Sequence, residues 1–154
     1  MSSPALPPGR IGLRRANKGD LDFLYALHVA TMREYVEKTW SWDDARQEAD
    51  YRTNHDPAAI QIITRRGEDV GMLYMEEREA EVFVAHVEIS PEYQRQGIGS
   101  HILGRIIADA AERGKPVALR VLKVNPARSL YARLGFTVAG ETPTHFSMRT
   151  TLDG

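Results

Sequence analysis

Gln94-Arg95-Gln96-Gly97-Ile98-Gly99-Ser100 joins two runs of contrasting pattern. Before it, Val82 to Ile89 is rich in strand-forming residues; after it, Ser100 to Arg113 repeats apolar residues at helical spacing. Two glycines at a strand-to-helix junction indicate backbone that takes positive φ or comes close to a ligand. Free amides in such a turn, followed by a helix N-terminus, attract anions. The stretch therefore predicts a phosphate site made mostly of main chain.

Three kinds of phosphate loop can be compared with this stretch. The nucleoside-triphosphate loop has four residues between its glycines and then Lys-Ser or Lys-Thr, which do not occur here. The dinucleotide loop needs a third glycine after Gly97 and Gly99, and an acid about 20 residues further on, where Ala118 to Val121 supplies none. A third pattern, Gln/Arg-x-x-Gly-x-Gly/Ala after a strand, is met in full. On these residues alone, a glycine-containing surface turn is the alternative.

Length and composition indicate one soluble domain. The chain has 154 residues, enough to bury roughly two thirds of its unfolded surface. Its net charge of −1 gives no global field for nucleic acid or an anionic membrane. The absence of cysteine excludes disulfides, thiolate nucleophiles and cysteine metal sites. No apolar run has the length of a signal peptide or a membrane span, so a cytoplasmic location is expected.

The remaining sequence alternates runs typical of strands and helices. Strands are expected at residues 10–16, 60–65, 70–75, 82–89, 117–121, 136–139 and 146–150. Helices are expected from Asp20 as N-cap, from Ser41 with Asp44 as its capping-box partner, from Ser100 and from Asn125. This order predicts a mixed sheet with helices against it. Residues 1–9, with three prolines, are expected to be a disordered lead-in, and residues 10–154 a single domain.

Four separated features resemble the GNAT superfamily of N-acetyltransferases, and together they cover nearly the whole chain. Leu13 to Asp20 looks like the first strand and turn of that family, and Val87 to Gly99 is similar to its fourth strand and pyrophosphate loop. Asn125 to Phe136 matches its last-helix signature, and the element order also agrees. The resemblance implies an α/β (α+β) fold with a mixed, mostly antiparallel sheet of six or seven strands and about four helices on its faces. It also implies a single N-acetyltransferase domain that moves an acetyl group from acetyl-coenzyme A to a primary amine.

The resemblance implies that main-chain amides of the loop hold the pyrophosphate of coenzyme A. The residues that it assigns to the cofactor are Ile89, Gln94, Arg95, Gln96, Gly97, Ile98, Gly99, Ser100, Asn125 and Arg128. Ile89 would direct its amide towards the thioester carbonyl, and the two arginines would add charge-assisted contacts. Both arginines also suit a solvated surface, and Asn125 also suits a cap for the last helix.

Two proton transfers are needed for this chemistry. A primary alkylamine, with a pKa of about 10.4, must lose a proton before it attacks, and the departing thiolate is helped by an acid. Tyr131 occupies the position of the family's usual acid, although it also suits an aromatic packed in the core. Many relatives have a glutamate where this chain has Ala85, so the base is assigned to Glu88 or His86, directly or through water. Strand alternation puts both on one face, which we expect to look towards the substrate. They also suit polar groups on a partly wet strand face, and an amine that enters neutral needs no base.

The resemblance implies an acceptor site framed by the first two helices, the fourth strand and the final hairpin. Here the segment from Arg33 to Asp44 holds Tyr35, Trp40 and Trp42 among several carboxylates. Aromatic faces and carboxylates attract a cation, which would favour a small polyamine, an amino sugar or a lysine-like amine. In the alternative, the tryptophans hold a helix–helix junction and the acids are solvated.

Other classes of function find less support. The five histidines are dispersed, no Gly-x-Ser-x-Gly elbow occurs, and no basic stripe is present. We therefore expect a small-molecule amine as the acceptor, with no metal, nucleic acid or membrane partner, and leave a homodimer open. Two alternatives remain: a protein N-terminal or lysine acetyltransferase, and a non-catalytic acyl-coenzyme A-binding module.

Overall fold

The computed structural model describes residues 11–54 and 56–152, without the side chains of Arg52 and Asn54. The expected lead-in and His55 lie outside the described residues. Within them, the strands are β1 (Ile11–Arg15), β2 (Gln61–Arg65), β3 (Glu68–Glu77), β4 (Val82–Ile89), β5 (Val117–Leu122), β6 (Thr137–Glu141) and β7 (His145–Arg149). The α-helices there are α1 (Leu21–Thr39), α2 (Asp44–Asn54), α3 (Ile98–Glu112) and α4 (Ala127–Arg133).

The described strands form one seven-stranded sheet in the order β1-β2-β3-β4-β5-β7-β6. The pairs β1–β2, β2–β3, β5–β7 and β6–β7 are antiparallel, whereas β4 and β5 are parallel. The helix α3 connects the two parallel strands, since a parallel pair needs a long crossover. The expected mixed, mostly antiparallel sheet and the expected order of elements are confirmed.

Two compact units make up the described part of the chain. The first consists of the described residues up to Tyr74 together with His86–Gly99. Its core forms where α1 and α2 cover apolar residues of β2 and β3. The members of this core are Ala16, Leu24, Leu27, Tyr51, Ile60, Ile62 and Met72. This burial explains the spacing of apolar residues in α1, because Leu24 and Leu27 lie three residues apart on the helical face that packs in the core.

The second unit consists of Met75–Ala85 together with residues 100–152. Its helix α3 buries an apolar stripe, as expected, and the buried members are Ile102, Leu103, Ile106 and Ala110. Ala111, expected on the same stripe, is exposed. The strand β5 buries Val117, Leu119 and Val121 alternately, together with Leu122 at its end.

Three helix starts differ from the expectation. The helix α3 begins at Ile98 rather than at Ser100, and the other two differences concern the caps of α1 and α2. Asp20 directly precedes α1 but does not cap it, because its carboxylate accepts hydrogen bonds from Arg14 (2.8 and 3.0 Å) and from the Asn17 amide (2.9 Å). It thereby completes a capping box for the short 3₁₀ helix Lys18–Asp20. The start of α2 is set by Asp43 rather than by Ser41. The Asp43 side chain accepts from the Arg46 amide at 3.1 Å, as an N-cap residue does.

Candidate active site

The loop between β4 and α3 has the backbone of an anion site. Arg95 and Gly97 lie at φ 63° and 83°, in the left-handed region, and α3 begins directly afterwards at Ile98. Left-handed residues that alternate with ordinary ones turn successive amides towards one point, and the helix N-terminus adds partial positive charge there. Such a backbone can attract an anion, and its binding of a diphosphate stays a prediction from the sequence.

The glutamine side chains of this loop bind other parts of the protein. Gln94 donates from Nε2 to the carbonyl oxygen of Ile89 at 2.8 Å, which ties the loop to the end of β4. Gln96 donates to the Glu92 carbonyl at 3.3 Å and accepts a hydrogen bond from the guanidinium of Arg65. These contacts fix the course of the loop.

The other residues assigned to the cofactor in this loop differ in exposure. Arg95 is exposed, whereas the Ile98 side chain is 1% exposed and belongs to the core. Gly99 and Ser100 lie in the first turn of α3 and are half-buried. Ile98 can thus reach a ligand only through its backbone.

Strand β3 comes unusually close to the end of β4. The register between β2 and β3 shifts after the pair Ile63–Gly71, so that Val70 is an extra residue of β3, as in a β-bulge. A Cβ atom on Gly71 would clash with the carbonyl oxygen of Glu88 and lie 2.9 Å from Cδ1 of Ile89. The glycine therefore lets the two backbones approach at the residues assigned to catalysis and to the cofactor.

Glu88 is buried, which contradicts the alternative interpretation that it lies on a partly wet strand face. Its side chain shares a face of β4 with the buried Val82 and Val84, and Glu88 itself is 5% exposed. Its Oε2 lies 3.2 Å from Nδ1 of His28 in α1. No hydrogen-bond partner of its Oε1 is found among the described residues.

His86, the second candidate base, has a different environment. Its imidazole is half-buried and stacks on the ring of Tyr74, with 6.3 Å between ring centroids and 19° between planes. Glu88 is thus the more deeply buried of the two candidates. Its Oε1 atom can still accept a hydrogen bond.

The aromatic residues expected to bind the acceptor are not equivalent. Trp40 is 51% exposed. The ammonium nitrogen of Lys38 lies over the ring of Tyr35, 5.8 Å from its centroid. Trp42 donates from its indole nitrogen to Asp44 at 2.6 Å, with the guanidinium of Arg33 at 5.5 Å from its ring. These contacts place Trp42 at the junction of α1 and α2.

In the second unit, Asn125 caps α4, as the alternative interpretation expects: its Oδ1 accepts from the Ala127 amide at 2.9 Å. Arg128 places its guanidinium 4.7 Å from the centre of the Phe146 ring. Tyr131 is 9% exposed, and its ring contacts Phe136 edge-to-face at 5.9 Å. The phenol predicted to act as the acid is therefore also a packed aromatic of α4.

Three contributors to the site were not assigned a role from the sequence. His28 is one of the five histidines that the sequence shows only as dispersed, yet its Nδ1 lies 3.2 Å from Oε2 of Glu88. Arg65 was read as the end of a strand, yet it holds Gln96. For Gly71, a glycine inside a strand-forming run was the available signal, because such a glycine often marks a bulge or a close approach of backbones.

Neither a metal site nor a membrane span is found in the described part of the chain. No three His, Cys, Asp or Glu side chains in it are grouped to hold a metal ion. Each of its helices is too short or too polar to cross a bilayer.

Comparison with known proteins adds to this geometry. Residues 21–136 match the acetyltransferase (GNAT) family. The fold is similar to that of the PaiA N-acetyltransferase of Thermoplasma acidophilum in complex with coenzyme A, with a TM-score of 0.74, 16% identity, and 92% of this chain and 99% of that chain covered. No curated protein matches the sequence.

Two further solved structures are similar. The ribosomal-protein-S18-alanine N-acetyltransferase of Escherichia coli has a TM-score of 0.67 and 20% identity, over 94% of this chain and 96% of that chain. An acetyltransferase of Thermus thermophilus has a TM-score of 0.72 and 16% identity, over 94% of this chain and 98% of that chain. At these identities the likeness concerns the fold.

Proposed function

Because the chain belongs to the acetyltransferase (GNAT) family, whose members transfer acetyl groups from acetyl-coenzyme A, we propose that it acetylates the primary amine of a small molecule. The amine nitrogen attacks the thioester carbonyl, a C–N bond forms, and the C–S bond breaks to release the thiol. A cationic acceptor loses two protons, one before its nitrogen attacks and one after the C–N bond forms. The sulfur gains one of them through the acid, and the other passes through the base to solvent, so the step needs a base and an acid but no further reactant.

The loop from Gln94 to Gly99 carries this proposal. The left-handed backbone of Arg95 and Gly97, immediately before α3, supports a main-chain grip on the diphosphate of coenzyme A. A diphosphate held there needs no buried counter-cation, which agrees with the formal net charge of −1. The exposed Arg95 side chain would add a charge-assisted contact.

The edge of β4 supports the proposed course of the pantetheine arm. The parallel register with β5 covers Val82–Val84, and the described register leaves the edge of β4 from Ala85 to Ile89 outside this ladder. An extended arm with amide groups can pair with such an edge as an added strand does. The amide of Ile89 would then point to the thioester oxygen and stabilise the charge that develops on it.

Glu88 is our candidate for the base. Its Oε1 is buried and lacks a protein partner within the described ranges, so an amine N–H can donate to it. A carboxylate in this position also attracts an alkylammonium ion, which favours a cationic acceptor. Tyr131 is our candidate for the acid, whose phenol would donate a proton to the departing sulfur. His86 stays a second candidate base.

An assay of the purified chain with acetyl-coenzyme A and a panel of acceptors tests the function. The panel contains polyamines, amino sugars, free lysine and peptides with a free N-terminus or an internal lysine; thiol release and acceptor mass are measured. We expect amine-dependent thiol release with a small cationic amine, and a large loss with Glu88→Gln. Acetylation of peptides alone would favour the protein acetyltransferase, and binding of acetyl-coenzyme A without thiol release would favour the non-catalytic module.

A further inference from the structure

The carboxylate of Glu88 is held from one side only. Its Oε2 has a partner, the Nδ1 atom of His28 at 3.2 Å, whereas its Oε1 has none in the described chain. Glu88 is 5% exposed, so bulk water does not compensate freely for the missing partner. A buried oxygen without a hydrogen-bond donor destabilises a fold, so such an atom calls for an explanation.

His28 is itself fixed by ring contacts on two sides. Its imidazole lies 5.0 Å from the ring of Tyr51 in α2, and 6.0 Å from the ring of Trp42 with 29° between the planes. Its side chain is 14% exposed. The plane of the imidazole, and with it the direction of the Nδ1–H bond, is therefore set by packing.

The proton assignment of this pair follows from donor chemistry. An ionised carboxylate only accepts hydrogen bonds, so the imidazole is the donor and its proton lies on Nδ1. Tyr51 does not compete as an anion: burial raises the pKa of its phenol, and the negative charge of Glu88 raises it further. Glu88 is thus the acceptor of this cluster, and the imidazole is a fixed donor to one of its two oxygens.

We propose that His28 is a positioning residue for the base: it holds Oε2 of Glu88 and so reserves Oε1 for the N–H of the acceptor amine. This inference rests on the proposed function, in which Glu88 receives the proton. Without the donor at Nδ1, the carboxylate can turn about its terminal bond and offer either oxygen in several directions. The reacting amine then meets the base in a productive geometry less often, and misplacement by about 1 Å can cost up to 100-fold in rate.

His28→Phe is the decisive variant, because a phenyl ring can keep the packing against Tyr51 and Trp42 while both ring nitrogens, including the donor at Nδ1, are removed. We expect kcat to fall about 10- to 100-fold, with the KM for acetyl-coenzyme A changed less than about twofold. We also expect the rising limb of the pH–rate profile to move to more alkaline pH. A carboxylate that loses a hydrogen-bond donor holds its proton more tightly.

Two further variants separate positioning from packing. His28→Asn places an amide N–H near the position of Nδ1, and we expect it to recover part of the kcat lost in His28→Phe. Thr31→Val is the matched control on the same helix, since the Thr31 hydroxyl donates to the Leu27 carbonyl at 2.9 Å; its kcat should stay near that of the wild type. The melting temperature of each variant is measured alongside.

The outcomes divide clearly. A His28→Phe chain with wild-type kcat and an unmoved pH profile would overturn the positioning role while leaving the proposed function intact. Equal losses of activity and melting temperature in His28→Phe and His28→Asn would also overturn it, in favour of packing. A wild-type chain that releases no coenzyme A with any amine would overturn the proposed function, and the role of His28 with it.

Discussion

Tyr131 is the residue on which the fate of the departing sulfur depends in the proposed reaction. We expect Tyr131→Phe to lower kcat about 100-fold, a typical contribution for a positioned acid, and to leave the affinity for acetyl-coenzyme A within about twofold. The ring contact with Phe136 at 5.9 Å is kept in this variant, so the fold should not suffer. Steady-state kinetics and calorimetry measure the two quantities.

Tyr25→Phe provides the matched control, because it also removes a phenol oxygen, one that donates to the Asp44 carbonyl at 3.4 Å in α2. Its kcat should stay near the wild-type value. If Tyr131→Phe turns over as fast as this control, the phenol is not the acid.

Gly97 is the residue on which the anion loop depends. Valine is poorly tolerated at φ 83°, and a left-handed non-glycine residue costs about 1–2 kcal/mol. We expect Gly97→Val to weaken acetyl-coenzyme A binding about 10-fold or more, as measured by titration calorimetry, because the amides turn away from their common point.

Gly104→Ala is the control for this change. Gly104 lies within α3, and a Cβ atom there meets nothing within 4 Å, so affinity should be unchanged and stability should rise slightly. Unaltered affinity in Gly97→Val would show that the loop does not hold the ligand.

At the scale of elements, the close approach of β3 to β4 depends on Gly71. An added methyl group would press on the carbonyl oxygen of Glu88, which is backbone and cannot turn aside. We expect Gly71→Ala to lower the free energy of unfolding by about 1–3 kcal/mol and to lower kcat, because Glu88 and Ile89 are displaced.

Gly140→Ala in β6 is the comparison, since a Cβ atom there has open space around it. Urea unfolding measures the stability of both variants, and steady-state kinetics measures their kcat. Equal stability and kcat in Gly71→Ala and Gly140→Ala would mean that the backbones of β3 and β4 can accommodate a methyl group at residue 71.

The turn before α1 gives a prediction about pH. Hydrogen bonds from the Arg14 guanidinium hold the pKa of the Asp20 carboxyl below its usual range. A group with a lowered folded-state pKa adds stability above its unfolded pKa of about 3.9, and this stability is lost as the pH falls through the folded-state pKa. Asp20→Ala should therefore lower the free energy of unfolding by about 1–2 kcal/mol at neutral pH, allowing for the partly exposed Arg14.

The difference in the free energy of unfolding between Asp20→Ala and the wild type should shrink as the pH falls below the unfolded pKa of about 3.9 and through the lowered folded-state pKa. Unfolding by urea at neutral and at acidic pH measures both. A difference that is the same at every pH would mean that the carboxylate charge plays no part in this turn.

Elements were predictable where their signals are local. The pattern of β4 gave both of its ends, and the glycine-rich loop predicted the strand-to-helix junction. The start of α2 was mistaken because Ser41 and Asp43 are both good cap residues, and the choice between them depends on which carbonyl accepts the first helical hydrogen bond. That bond, from the Gln47 amide to Asp43 at 2.8 Å, is not visible in a sequence.

At the scale of the whole molecule, the sequence predicted the order of elements but not which distant side chains meet. Glu88 was a candidate from its strand alone, but its burial depends on which helix covers that face. His28 lies 60 residues earlier in the chain and comes to Glu88 only because α1 packs there. A pattern of alternation assigns a residue to a face, whereas the partner on the opposite side comes from the tertiary fold.

Arg95 has a consequence for the chain without its ligand. It is not a glycine, yet its φ is 63°, so the cooperative fold holds this residue against its own preference. The loop is thus a locally strained segment, and such segments open at lower free energy than the core does. A diphosphate that bridges the amides would offset this strain, and hydrogen exchange of the amides at 95–99 should slow more on adding coenzyme A than exchange in the strands.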